Sequence, residues 1–184
     1  MEYKEKTSGN GKETPTFESE TLTGKRKVTK ANIGIPEKDL EVVALMLNTV
    51  LADEFLLYVK TRNYHWNVTG IHFRDMHKFF EIQYTELEEV IDEIAERVRY
   101  LGHYSIGTLN EFSQLTRLLE SKEKDLTAEQ MLRNLLNDHE TVIRVLREDI
   151  EKAEKCKDAG TTDFLTGLME KHEKTAWMIR SHLG

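Results

Sequence analysis

Two histidines and a run of carboxylates carry the chemistry in this chain. His65 and His77 are separated by Asn67-Val68-Thr69-Gly70, a segment of turn-forming character, so a chain reversal there brings the two imidazoles close. His77 then begins a stripe of His77, Glu81, Glu88, Asp92 and Glu96 at intervals of four, seven, four and four. In a helix of 3.6 residues per turn these positions share nearly one face. Like charges four apart repel. Lys78, Arg97 and Arg99 can compensate that repulsion on a wet surface. A cation does so more strongly where the stripe is partly buried. A solvated acidic face is the ordinary reading of such a stripe. The adjacent histidines turn it toward a metal, because imidazole and carboxylate together suit iron, manganese or zinc.

Spacing limits where that metal can sit. His77 and Asp92 are fifteen residues apart, about 22 Å along one helix, and cannot share an ion within one chain. His77 with Glu96, and Glu81 with Asp92, are placed symmetrically about the point between Glu86 and Leu87. An antiparallel copy of this helix, related by a two-fold axis through that point, sets His77 and Glu81 of one chain beside Asp92 and Glu96 of the other. Two equivalent sites form at once, as an isologous dimer requires. A di-metal site inside one bundle wants Glu-x-x-His motifs, and none ends at His77, His139 or His172. His139 and His172 read as core histidines.

The elements that must position these residues are helical. The chain has 184 residues, enough for one domain with a sizeable core. Its two prolines are Pro15 and Pro36, and the following 148 residues contain none. Amphipathic periodicity predicts helices over 37–64, 73–101, 127–158 and from about 162, with a short helix over 110–119. Thr108 with Glu111 and Thr127 with Gln130 form potential capping boxes. Gly102 and Ala159-Gly160 read as helix stops. Four long helices, with short connections after the first and third and a long crossover in the middle, predict an all-α four-helix bundle over 37–184. Residues 1–36 read as a flexible N-terminal tail, carrying seven basic residues against five acidic ones, while the remainder carries nineteen against twenty-eight.

Composition excludes other classes. The formal net charge is −7, which weakens a simple nucleic-acid reading. No apolar run approaches the length of a membrane span, and no signal-peptide core is visible. Cys156 is the single cysteine, so an intrachain disulfide and a cysteine metal cluster are excluded. A cytoplasmic protein without a membrane partner is the expectation.

At these residues the chain resembles the Dps family, the DNA-binding proteins from starved cells, or mini-ferritins. The resemblance is carried by Asn63-Tyr64-His65-Trp66-Asn67-Val68-Thr69-Gly70, Phe73, His77, Glu81 and Asp92-Glu93-Ile94-Ala95-Glu96-Arg97. It extends through Asn137-Asp138-His139-Glu140 and the 163–183 segment, and leaves only the tail outside. It implies a ferritin-like four-helix bundle with a short helix in the crossover, and a hollow dodecamer built from two-fold dimers. It implies ferroxidase activity: Fe(II) is oxidised, preferentially with hydrogen peroxide, and stored as Fe(III) mineral, which protects against oxidative stress. His65 and His77 of one subunit would face Asp92 and Glu96 of its partner, with two iron positions per intersubunit site. Asp92, Glu96 and His65 would form the tighter position, His77 and Glu81 the weaker. Glu81 departs from the family's usual aspartate, and Lys78 from its commonly acidic residue. Trp66 beside the site can shield it, or wedge the dimer seam. Asp149, Glu154, Asp158 and Asp163 are candidates for acid-lined pores, or else an outer solvated face. The alternative function is a nucleoid-associated DNA-compacting protein with a weak ferroxidase site, in which the Lys25-Arg26-Lys27 tail meets DNA.

Overall fold

The computed structural model describes residues 30–184; the Lys25-Arg26-Lys27 cluster and most of the basic tail lie outside the described residues. Five helices follow in order: α1 (Glu37–Asn67), α2 (Phe73–Tyr100), α3 (Leu109–Leu115), α4 (Ala128–Lys155) and α5 (Ala159–Leu183). The all-α four-helix arrangement with a short helix in the crossover is the one expected. α1 pairs with α2 and α4 with α5, and the α2–α5 side of the bundle is the more open one.

α1 is the most apolar helix because it serves two surfaces. Leu40, Val43, Leu47, Val50, Leu51 and Leu57 fill the core, while Val42, Leu45 and Val59 stay exposed. Contrary to the expectation that no apolar run approaches a membrane span, an 18-residue window of α1 is apolar enough to match one by length and composition. In the fold, 61% of that window is buried inside the bundle, as in a core helix. α2 is amphipathic in the ordinary way: Met76, Phe80, Leu87, Val90, Ile94 and Val98 face inward, and the acidic stripe faces outward.

Local chemistry sets the ends. Gly70 (φ +110°) and Gly102 (φ +82°) adopt the positive φ that lets the chain leave α1 and α2. Both capping boxes form, at Thr108–Glu111 and Thr127–Gln130. α3 stops sooner than expected. The Asp53 carboxylate accepts from the Thr116 hydroxyl (3.0 Å) and the Arg117 amide (2.6 Å), which draws the chain off the helical path. The α4–α5 break also falls elsewhere than expected. Lys157 takes φ +58° and Asp158 caps α5 by accepting from the Thr161 amide at 3.0 Å. Gly160 is therefore inside the first turn of α5. A Cβ there would lie 2.6 Å from an Arg97 guanidinium nitrogen, so its small size admits Arg97.

Buried charge pairs hold the crossover down. Arg117 donates to Asp53 (2.7 Å) and to Asp149 (2.8 Å), and Lys60 donates to Asp138 (2.5 Å) and to the Leu119 carbonyl (2.8 Å). Burial pushes the Asp53 and Asp138 carboxyls upward, against the pull of Arg117 and Lys60. Asp149 and Asp158, candidates for pore lining or a solvated face, are instead almost fully buried in these intrachain pairs; Glu154 and Asp163 are exposed. Cys156 is buried, and burial raises its thiol.

Candidate metal centre

The end of α1 and the start of α2 carry His65 and His77. Their rings stack at 3.7 Å between centroids, 22° from parallel. Two reciprocal hydrogen bonds lock them. His65 Nδ1 bonds the His77 carbonyl and His77 Nδ1 bonds the His65 carbonyl, each at 2.8 Å. A carbonyl only accepts, so both Nδ1 atoms carry the proton. Each neutral ring then keeps its lone pair on Nε2. This is how proteins commonly prepare an imidazole for a metal. His65 is 9% exposed. Tyr84 meets it edge-on at 5.1 Å, and the Arg62 guanidinium lies 4.4 Å over the Tyr84 ring.

Glu81 lies one turn further along α2, half-buried. The hydrogen bond from Lys78 (2.7 Å), with the charge of that ammonium, holds its carboxyl below the ordinary range. Glu81 is thus a ready anion beside the two imidazoles, with Lys78 as a competitor for any incoming cation. Trp66 is 65% exposed, with Arg62 at 5.7 Å over its ring.

Asp92 and Glu96 sit on the exposed face of the same helix, fifteen and nineteen residues beyond His77. Glu96 accepts a hydrogen bond from Tyr100 at 2.9 Å, which raises the Tyr100 phenol. The single chain stacks His65 on His77, holds Glu81 to Lys78 one turn further along α2, and leaves Asp92 and Glu96 at the opposite end of that helix. Among the described residues, no three His, Cys, Asp or Glu side chains converge as a metal cluster.

The other histidine pair is in the core. His139 and His172 meet Nδ1 to Nδ1 at 2.8 Å, and His172 Nε2 reaches Glu54 Oε1 at 2.9 Å. Both histidines lie in the core as the sequence predicts, and Glu54 joins them there, a partner that the amphipathic pattern does not reveal. The signal available was Asp53-Glu54, two acids in the middle of the most apolar helix.

A family model of the ferritin-like domain matches residues 44–184. The chain is 36% identical over 138 residues to DNA protection during starvation protein 2 of Bacillus anthracis, covering 75% of this chain and 94% of that one. The chain belongs to the Dps family of ferritin-like proteins. It is 47% identical over 155 residues to a low temperature-induced protein of Nostoc sp., covering 84% of this chain and 87% of the relative. The Dps structure from Thermosynechococcus elongatus superposes with a TM-score of 0.77 at 31% identity, covering 80% of this chain and 93% of that one. Membership of the Dps family carries iron oxidation and storage as the family-level function, with iron as the metal handled and homo-oligomeric assembly as the rule.

Proposed function

We propose that the protein is a peroxide-using ferroxidase and iron store, with its reaction at di-iron sites shared between subunits. His65, His77 and Glu81 of one chain meet Asp92 and Glu96 of a second, antiparallel copy, giving two iron positions per site. Twelve subunits, paired by two-folds, enclose the cavity that holds the Fe(III) mineral. The protein acts in the cytoplasm against oxidative stress.

The observation that carries this reading is the reciprocal carbonyl lock on His65 and His77. It commits both Nε2 atoms to an acceptor role at a point where one chain supplies too few ligands. Carboxylate oxygens favour the ferric product, and neutral imidazole accommodates ferrous ion. Two ferrous ions held together each give one electron to hydrogen peroxide. The O–O bond breaks, two protons are taken up, and two waters form without a hydroxyl radical. Trp66, beside the site, intercepts stray oxidising equivalents.

The test is anaerobic Fe(II) loading of the assembled protein followed by peroxide. Fast oxidation in the parent, slowed more than roughly 100-fold by paired Asp92→Ala and Glu96→Ala changes in an intact assembly, is the expected result. Equal rates would end the proposal. The DNA-protection names of several relatives favour a second activity, DNA binding through the basic residues of 1–36. Gel retardation at low salt, lost on removal of residues 1–30, is its signature; no retardation by either form rejects it.

A further inference from the structure

A shared site in which only one of its two positions is filled has a single electron to give. One Fe(II) and hydrogen peroxide then yield Fe(III), hydroxide and a hydroxyl radical, and the second electron must come from the protein. Phenol and indole side chains give up an electron far more readily than imidazole or the phenylalanine ring. The rings packed against His65 therefore decide where that electron comes from.

Among the described residues two rings pack on His65: His77, stacked at 3.7 Å, and Tyr84, edge-on at 5.1 Å and 78°. Tyr84 is thus the oxidisable ring in contact with that imidazole. Trp66 follows His65 in the chain, but its ring is 65% exposed and lies under Arg62. Tyr58 meets Tyr84 edge-on at 6.4 Å, and both tyrosines are half-buried where α1 faces α2. Beyond Tyr58 come Phe55 at 6.2 Å and Phe112 stacked on Phe55 at 4.1 Å, rings much harder to oxidise. A path of oxidisable rings runs from His65 to Tyr84 to Tyr58 and stops there.

Arg62 ties the two phenols together. Its guanidinium lies 4.4 Å over the Tyr84 ring and donates to the Tyr58 hydroxyl at 2.6 Å. A fixed positive charge on the ring face opposes a ring cation. Tyr84 therefore loses an electron only as its phenolic proton leaves, and the product is a neutral phenoxyl radical.

We propose that Tyr84 is the electron donor that quenches the oxidant formed at a half-filled shared site, with Tyr58 as the second station. This rests on the shared iron site proposed above. Tyr84 passes one electron through His65 to the hydroxyl radical and releases its phenolic proton to solvent. The hydroxyl radical takes up that electron and one proton and becomes water, so one O–H bond breaks and one forms. Tyr58 then restores Tyr84 by giving up its own electron and proton. Arg62 is a positioning residue for both rings.

The test uses the assembled full-length protein, loaded anaerobically with less than one Fe(II) per shared site, mixed with peroxide and freeze-quenched for electron paramagnetic resonance. A tyrosyl radical is expected, with hyperfine structure that collapses when ring-deuterated tyrosine is incorporated. The signal is expected to be lost in Tyr84→Phe and retained in Trp66→Phe, and spin-trapped hydroxyl radical to rise in Tyr84→Phe. Should Tyr84→Phe fail to assemble, mass-spectrometric mapping of spin-trap adducts on the parent decides, with the adduct expected on Tyr84 or Tyr58. Iron oxidised by peroxide without a tyrosyl radical overturns this inference and leaves the shared site standing. So does a signal unchanged by Tyr84→Phe, or adducts confined to Trp66. Absence of any peroxide-driven iron oxidation overturns both.

Discussion

The two histidine pairs of this molecule have opposite designs. His65 and His77 are locked through Nδ1 by each other's backbone carbonyls, and their Nε2 atoms are left for something outside the chain. His139 and His172 are joined to each other and to the buried Glu54 carboxylate, so the core itself consumes most of their hydrogen bonds. Backbone acceptors are neutral and fixed, and a pair held by them can lose a ring without stranding a charge. A side-chain chain ending on a buried carboxylate cannot. In the proposed function the first pair serves iron, whereas the second is joined to a buried carboxylate inside the bundle.

Breaking the second pair should have the largest effect on stability. His172→Leu leaves Glu54 buried without its partner and is expected to cost about 3–5 kcal/mol. His77→Leu, which frees only one backbone carbonyl, is expected to cost under about 1 kcal/mol. Urea unfolding of both variants measures the ratio, and equal losses would erase the distinction drawn here.

Acid should separate the pairs next. Burial holds His139 well below the ordinary imidazole value of 6.5. The unfolded chain therefore takes up that proton first. The contribution of neutral His139 is fully present above pH 6.5 and falls away as pH drops, by up to about 1.4 kcal/mol per pH unit. Stability of metal-free protein measured between pH 7 and pH 5.5 should show this slope, and His139→Gln should flatten it.

A smaller effect is expected at the first pair. Lys78→Ala removes the hydrogen bond that holds Glu81 down, letting its carboxyl return toward the ordinary range. It also removes a competing cation. Binding of Co²⁺ to the His65–His77 end should tighten by less than about tenfold, read by titration. Weaker binding would mean that Lys78 positions Glu81 rather than competing with metal.

Much of the frame is legible in the sequence. The capping boxes at Thr108 and Thr127 and the exit at Gly102 are local signals, satisfied within four residues or by one residue's φ. The α4–α5 break was misplaced because Gly160 reads as a stop, whereas its small size serves Arg97, sixty-three residues earlier. The buried polar partners were invisible for the same reason. Glu54 meets His172 across 118 residues, and Asp53 meets Arg117 across 64, and no periodicity encodes such a pairing. The acidic stripe on α2 was readable because it lies on one helix. The lock on His65 and His77 was not, since two backbone carbonyls make it.

The central claim is that two antiparallel α2 helices from different chains share iron. Crystals of the assembled protein loaded anaerobically with Fe(II) and measured at the iron edge test it most directly. Anomalous density bound by His65 or His77 Nε2 together with Asp92 and Glu96 of a second copy is the predicted result. Those carboxylates lying remote from the imidazoles at every contact between subunits would contradict it.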